Sequence, residues 1–201
     1  MTFNFKKEIA IFSVIYLIAV VFIYLFLNGG AYLKILRYYL FLDSKISYAL
    51  GSNNKDYYLY IPKIDVSAPI IFSKDNSIKS ILEGLEKGVG FYPGYQLPGQ
   101  NGLSVILGHS SKTDWYKGEY AYIFSLLGKL QEGDEFYVTN GNSKLIYKVF
   151  SSDILTPRQA DELLSRKPEN DSVIALVTCW PIGFSSKRTV IQAKLDHIEK
   201  M

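Results

Sequence analysis

The sequence predicts a mainly β domain, a sandwich or closed barrel, hung from one N-terminal membrane helix. Three observations predict it. Residues 9–27 carry no charge. At least seven short runs rich in Val, Ile, Tyr and Phe follow, each bounded by turn residues. Helical signals between those runs are few and short.

The apolar run reads IAIFSVIYLIAVVFIYLFL, broken only by the hydroxyls of Ser13, Tyr16 and Tyr24. At about 1.5 Å per residue it spans roughly 28 Å, close to the hydrocarbon thickness of a bilayer. A cleaved signal peptide has a shorter apolar core, roughly 7–15 residues, and a small-residue cleavage site. Gly29-Gly30-Ala31 is a poor one, so the run reads as an uncleaved anchor. Lys6 and Lys7 precede it, which favours a cytoplasmic N-terminus, although Lys34 and Arg37 follow on the other side. The expected organisation is a cytoplasmic tail over 1–8, an anchor over 9–27, a stalk over 28–56 and a folded domain over 57–201. Within the stalk, Leu33, Leu36, Tyr39, Leu40 and Tyr48 could line one helix face. Gly51-Ser52-Asn53-Asn54 reads as a break before the domain.

Candidate strands are 58–61, 68–72, 103–107, 135–139, 144–150, 173–178 and 189–195. Asn140-Gly141 marks a hairpin between two of them. Three helical turns are expected. Residues 77–83 end at Gly84, and 120–127 end at Gly128. Residues 158–164 follow Thr156-Pro157, a capping residue and a first-turn proline.

Composition narrows the function. Hydrophobic residues are 48% of the 201 and charged residues 20%, so the chain folds. A net charge of +3 is too mild to argue for a nucleic-acid partner. One Cys excludes an internal disulfide, and with two His it falls short of a four-ligand zinc site.

That Cys stands at a telling place. Residues 172–177 form an apolar strand running into Thr178-Cys179, and Trp180-Pro181 stops it. A side chain there is supported from behind and open in front, as a nucleophile must be. Free thiols have pKa about 8.5, so activation needs a nearby imidazole or guanidinium. A buried inert thiol is the competing reading. His109 closes a second apolar strand in Gly108-His109-Ser110 and could pair with the thiolate or protonate a leaving amine. Arg188 opens the last strand and could hold an oxyanion; Lys187 competes for that role. His197 reads as a surface residue.

Jointly these features closely resemble the sortases, membrane-anchored cysteine transpeptidases of mainly Gram-positive bacteria. Leu176-Val177-Thr178-Cys179 matches the T-L-x-T-C signature from its second residue, with Ala175 in place of the leading Thr. Tyr60-Ile61-Pro62-Lys63-Ile64-Asp65-Val66, Ala68-Pro69-Ile70, Gly88-Val89-Gly90-Phe91-Tyr92-Pro93-Gly94 and Leu97-Pro98-Gly99 extend the likeness over residues 58–201.

The resemblance implies an eight-stranded sortase-type β-barrel with short helices. Cys179 would be the nucleophile, His109 the acid/base and Arg188 the oxyanion stabiliser. Thr178, Trp180, Ile154 and Leu155 are candidate pocket residues; Ile154 and Leu155, like Leu163 and Leu164, either line the pocket or pack under it, and Trp115 reads as ordinary packing. The substrate would be a secreted protein with an LPXTG-like sorting signal. The acceptor would be the amine of a peptidoglycan precursor or a pilin lysine. No cofactor is expected. Calcium, used by some sortases, would need Glu132, Asp134 and Glu135, which read as a solvated turn. The short Cys-to-Arg spacing and the lack of a long lid segment look more like class D or E than class C. The expected location is the bacterial membrane, single-pass, with the domain outside the cytoplasm. Two rival readings keep the barrel: a hydrolase using water as acceptor, and a tethered binding module with an inert thiol. A papain-like protease would place Cys before His, the reverse of this chain.

Overall fold

The computed structural model describes residues 5–40, 57–75, 77–111, 118–141, 143–166 and 168–201. Its first element is a helix, α1, over Phe5–Tyr39. It is the one helix among the described residues long and apolar enough to cross a membrane. The helix does not stop at Gly29-Gly30 but runs three turns further, against the domain. Tyr24, Asn28, Ala31, Ile35 and Tyr38 fall on one face at alternating four- and three-residue spacing, and that face is turned inward. The stripe read from sequence is the wrong one: Leu33, Leu36, Tyr39 and Leu40 are exposed. Tyr48 and the Gly51–Asn54 break lie outside the described residues.

Eight strands follow: β1 Tyr57–Ile61, β2 Val66–Phe72, β3 Val89–Phe91, β4 Gly102–Leu107, β5 Glu135–Asn140, β6 Ser143–Leu155, β7 Ser172–Trp180 and β8 Lys187–Lys200. They close a barrel in the order β1-β2-β3-β4-β7-β8-β6-β5. Pairs β2/β3 and β4/β7 are parallel; the others are antiparallel. The seven expected strands are all present. β3 was not among them, because three residues inside a glycine-rich run carry too little periodicity. β6 and β8 run well past their expected ends, the two pairing along nearly their full lengths.

Helix α2, Ile78–Leu85, is capped by the Ser77 side chain and passes through Gly84. Helix α3, Pro157–Leu164, starts on a capping box between Thr156 and Gln159. The third expected helix is instead two 3₁₀ turns, Glu119–Tyr122 and Leu127–Lys129.

Alternation divides the apolar residues into two layers. Ile106, Ile174, Leu176, Ile191 and Ala193 fill the barrel with Phe124 and Tyr147. Leu103, Val105, Val173, Ala175, Val177 and Val190 point outward, where Ala160 and Leu164 of α3 cover them.

Docking of α1 depends on a small residue. A Cβ on Gly30 would come within 2.4 Å of the Tyr122 ring. Gly30→Val should therefore lift residues 28–39 off the barrel at an overpacking cost of about 1–3 kcal/mol. In hydrogen-exchange mass spectrometry those amides should exchange roughly ten-fold faster, while β4 and β7 keep their protection. Unchanged exchange over 28–39 would refute this packing.

Candidate active site

Three side chains reach one end of the barrel on one face. In the antiparallel β7/β8 pair, Cys179 lies directly opposite Arg188. Residues opposed in this way project to the same side. In the parallel β4/β7 pair, Leu107 is level with Val177. Continuing that register by two residues brings His109 level with Cys179. By alternation all three stand on the outward face, in line with Val105, Val177 and Val190. Cys179 and His109 are half-buried, and the thiol is free.

The backbone beneath them is fastened at several points. Thr178 Oγ1 donates to the Gly108 carbonyl at 2.7 Å, and Gly108 N donates to Val177 O at 3.1 Å. Phe124 N donates to the His109 carbonyl at 2.9 Å. The Phe124 ring also explains Gly108: a Cβ there would fall 2.3 Å from it. On the far side Arg188 Nη1 donates to Ser185 O at 2.8 Å and Lys187 O at 2.9 Å.

A cleft of about 330 Å³ opens beside Cys179 at the barrel end. Thr178, Trp180, Ile154 and Ser110 line it, and so do Tyr24 and Tyr32 of α1. Of the pocket residues read from sequence, Thr178, Trp180 and Ile154 are therefore beside the thiol. Leu155 is not in the cleft. It stands opposite Arg188 and packs on the outer layer, as Leu163 does, while Leu164 is part of that layer. Trp115 lies outside the described residues. Two sets of wall residues escaped the sequence. Tyr24 and Tyr32 sit in what reads as anchor and stalk. Ser110 is 3% exposed, and among the described residues its hydroxyl has no hydrogen-bond partner; its position after His109 was the available signal.

His109 titrates low. Burial holds its imidazole below the ordinary value, and the Glu86 carboxylate draws it partly back. His197 is exposed, as expected, but lies within β8; hydrogen bonds to Asp196 and Glu199 raise it. Among Glu132, Asp134 and Glu135, the Asp134 carboxylate already receives Lys63 Nζ and Gln131 N, each at 2.6 Å. Among the described residues no three His, Cys, Asp or Glu side chains are grouped to hold a metal ion.

The domain model of the sortase family, described as "Sortase domain", matches residues 59–196. The chain belongs to the sortase family. Sortase D of Bacillus subtilis (strain 168) is 28% identical over 139 residues, 68% of this chain. The chain spans 61% of that curated relative's length. Among solved structures, a lid mutant of sortase A from Corynebacterium diphtheriae superposes with a TM-score of 0.59 at 28% identity. It covers 72% of this chain and 71% of its own. Sortase C-1 from Actinomyces oris gives 0.57 at 30% identity, over 70% of this chain and 73% of its own. Streptococcus pneumoniae sortase C gives 0.60 at 25%, over 76% and 74%. The eight-stranded sortase barrel read from the motifs is thus the fold, and a class D relative is compatible with the class D or E likeness. Sortases work without a cofactor.

The low His109 pKa sets a pH dependence. A neutral buried imidazole resists charging, so its effect is absent above the free-histidine value near 6.5 and destabilises progressively below it. The unfolded chain binds the extra proton in that window, so stability falls with pH. Denaturation from about pH 7 to about pH 5 should weaken wild type more than His109→Gln. His197 contributes equally to both chains. Parallel pH profiles would contradict the assignment.

Proposed function

We propose that this sortase is a cysteine transpeptidase acting on proteins that end in an LPXTG-like sorting signal. The observation that carries the reading is the shared register of His109, Cys179 and Arg188 at the ends of β4, β7 and β8. The Cys179 thiol passes its proton to His109 as its sulfur attacks the carbonyl of the Thr–Gly bond. Arg188 stabilises the oxyanion. The C–N bond breaks as His109 gives its proton to the departing glycine amine, leaving a thioester on Cys179. An incoming amine attacks the thioester, His109 takes its proton, and the thiolate departs from a new amide bond. The acceptor is a peptidoglycan precursor or a pilin lysine; the S. pneumoniae sortase C structure is titled for pilin substrate specificity. Thr178, Trp180 and Ile154 supply the pocket beside the thiol, and Ser110 forms part of its wall with its hydroxyl buried there. Leu155 backs Arg188 from the outer layer. Residues 9–27 anchor the enzyme in a bacterial membrane, single-pass, with 57–201 outside the cytoplasm.

Intact-mass spectrometry of the full chain in nanodiscs with LPXTG-variant peptides tests this. Wild type should gain a peptide adduct that an added glycine-type amine converts to ligated peptide; Cys179→Ala should gain none. Adducts released only to water would make it a hydrolase. With no adduct from any peptide and slow iodoacetamide labelling, the barrel would be a binding module. Arg188→Lys should slow acylation by roughly 10²–10³. Ser110→Ala should raise KM about five-fold, the worth of about 1 kcal/mol, with kcat nearly unchanged. Unaltered KM would remove Ser110 from the site.

A further inference from the structure

The loop between β7 and β8 meets α1 at an unexpected height. Tyr24 Oη donates to the Ile182 carbonyl at 2.8 Å, and the Tyr24 ring stacks on Phe184 with centroids 5.9 Å apart. Tyr24 lies inside the uncharged run, three residues before Leu27. At about 1.5 Å per residue it is roughly 4.5 Å within the apolar segment. Polar Asn28, one turn on, is buried at 5% exposure and donates to Tyr24 O at 3.1 Å. No charge appears until Lys34, whose ammonium is held on the Ile123 carbonyl at 3.3 Å. A helix crossing the bilayer along this run carries the β7–β8 loop to the level of the headgroups.

The loop has the composition for that place. Phe184 is 57% exposed and Trp180 39%. Aromatic side chains concentrate at the boundary between lipid and water. Residues 180–188 contain Lys187 and Arg188 and no acidic residue, and Lys187 Nζ sits 5.5 Å from the Trp180 ring centre. Cations beside the surface are drawn to anionic headgroups.

We infer that the β7–β8 loop is a lipid-contacting surface, inserting Phe184 and Trp180 into the interface of the bilayer that α1 spans. The occupant is the membrane itself, and the cleft beside Cys179 opens at its surface. A peptide held close to its own membrane segment, or an acceptor amine carried on a lipid, reaches the thiol there without leaving the headgroup layer. The inference rests on the anchored reading of residues 9–27.

Tryptophan emission in nanodiscs of anionic lipid with brominated acyl chains tests it. Three reporters are placed in a full-length Trp115→Phe, Trp180→Phe background. Phe22→Trp reports the anchor, Phe184→Trp the loop, and Lys200→Trp the opposite end of the barrel. Bromine should quench the first two by roughly two-fold or more, with blue-shifted emission, and leave the third unquenched. Quenching at Phe22→Trp alone overturns the loop insertion and keeps the anchor. No quenching at Phe22→Trp overturns the anchor and the insertion with it. Trp180 itself, as the one tryptophan of a Trp115→Phe chain, repeats the measurement with the loop unaltered; its failure to quench beside a quenched anchor also overturns the inference.

Discussion

The site depends on one joint, the hydrogen bond from the Thr178 hydroxyl to the Gly108 carbonyl. β4 and β7 run parallel, so each delivers its last side chains to the same end of the barrel. Their ladder ends there on the Gly108 N–H to Val177 carbonyl bond. The buried hydroxyl adds a second tie beside it. It fixes the height of His109 against Cys179 through two short backbone steps. Phe124 presses on the same carbonyl-bearing residue from the other side, which leaves room only for glycine at 108.

From that joint the division of labour along β7 follows by alternation. Ile174 and Leu176 face the barrel interior, and Thr178 continues that row. Val173, Ala175 and Val177 face α3, and Cys179 continues that one. The tie therefore lies inside, and the thiol lies outside on a strand pinned from within. The same parity separates Ile154, which enters the cleft, from Leu155, which backs Arg188.

Much of this was legible in the sequence. Strand runs with β-branched and aromatic residues read correctly because their outer and inner faces are both apolar and their ends carry Gly, Pro or Asn. Cys179, His109 and Arg188 were legible as reactive types at strand ends. What escaped was whatever needed the closed barrel. Gly29-Gly30-Ala31 reads only as a poor cleavage site, yet small residues are what a helix needs where it meets another surface closely. Ile154 and Leu155 are adjacent apolar residues, and only the pairing with β8 says which faces the cleft. Ser110 looks like any loop serine until its burial is known. The segment 120–127 has helical period but folds as two 3₁₀ turns, with Phe124 drawn under Gly108 between them.

The parallel pairing of β4 with β7 also fixes when His109 and Cys179 can come level. His109 and Cys179 are 70 residues apart, and the intervening chain must lay down β5, β6 and α3 before β7 can dock on β4. Non-local contacts of this kind form late, because loop-closure entropy opposes them until the rest of the structure is in place. Before β7 docks, the thiol is an ordinary cysteine with no imidazole held level with it. The finished barrel alone sets the two in register, so any pairing between them belongs to the assembled domain and not to the nascent chain.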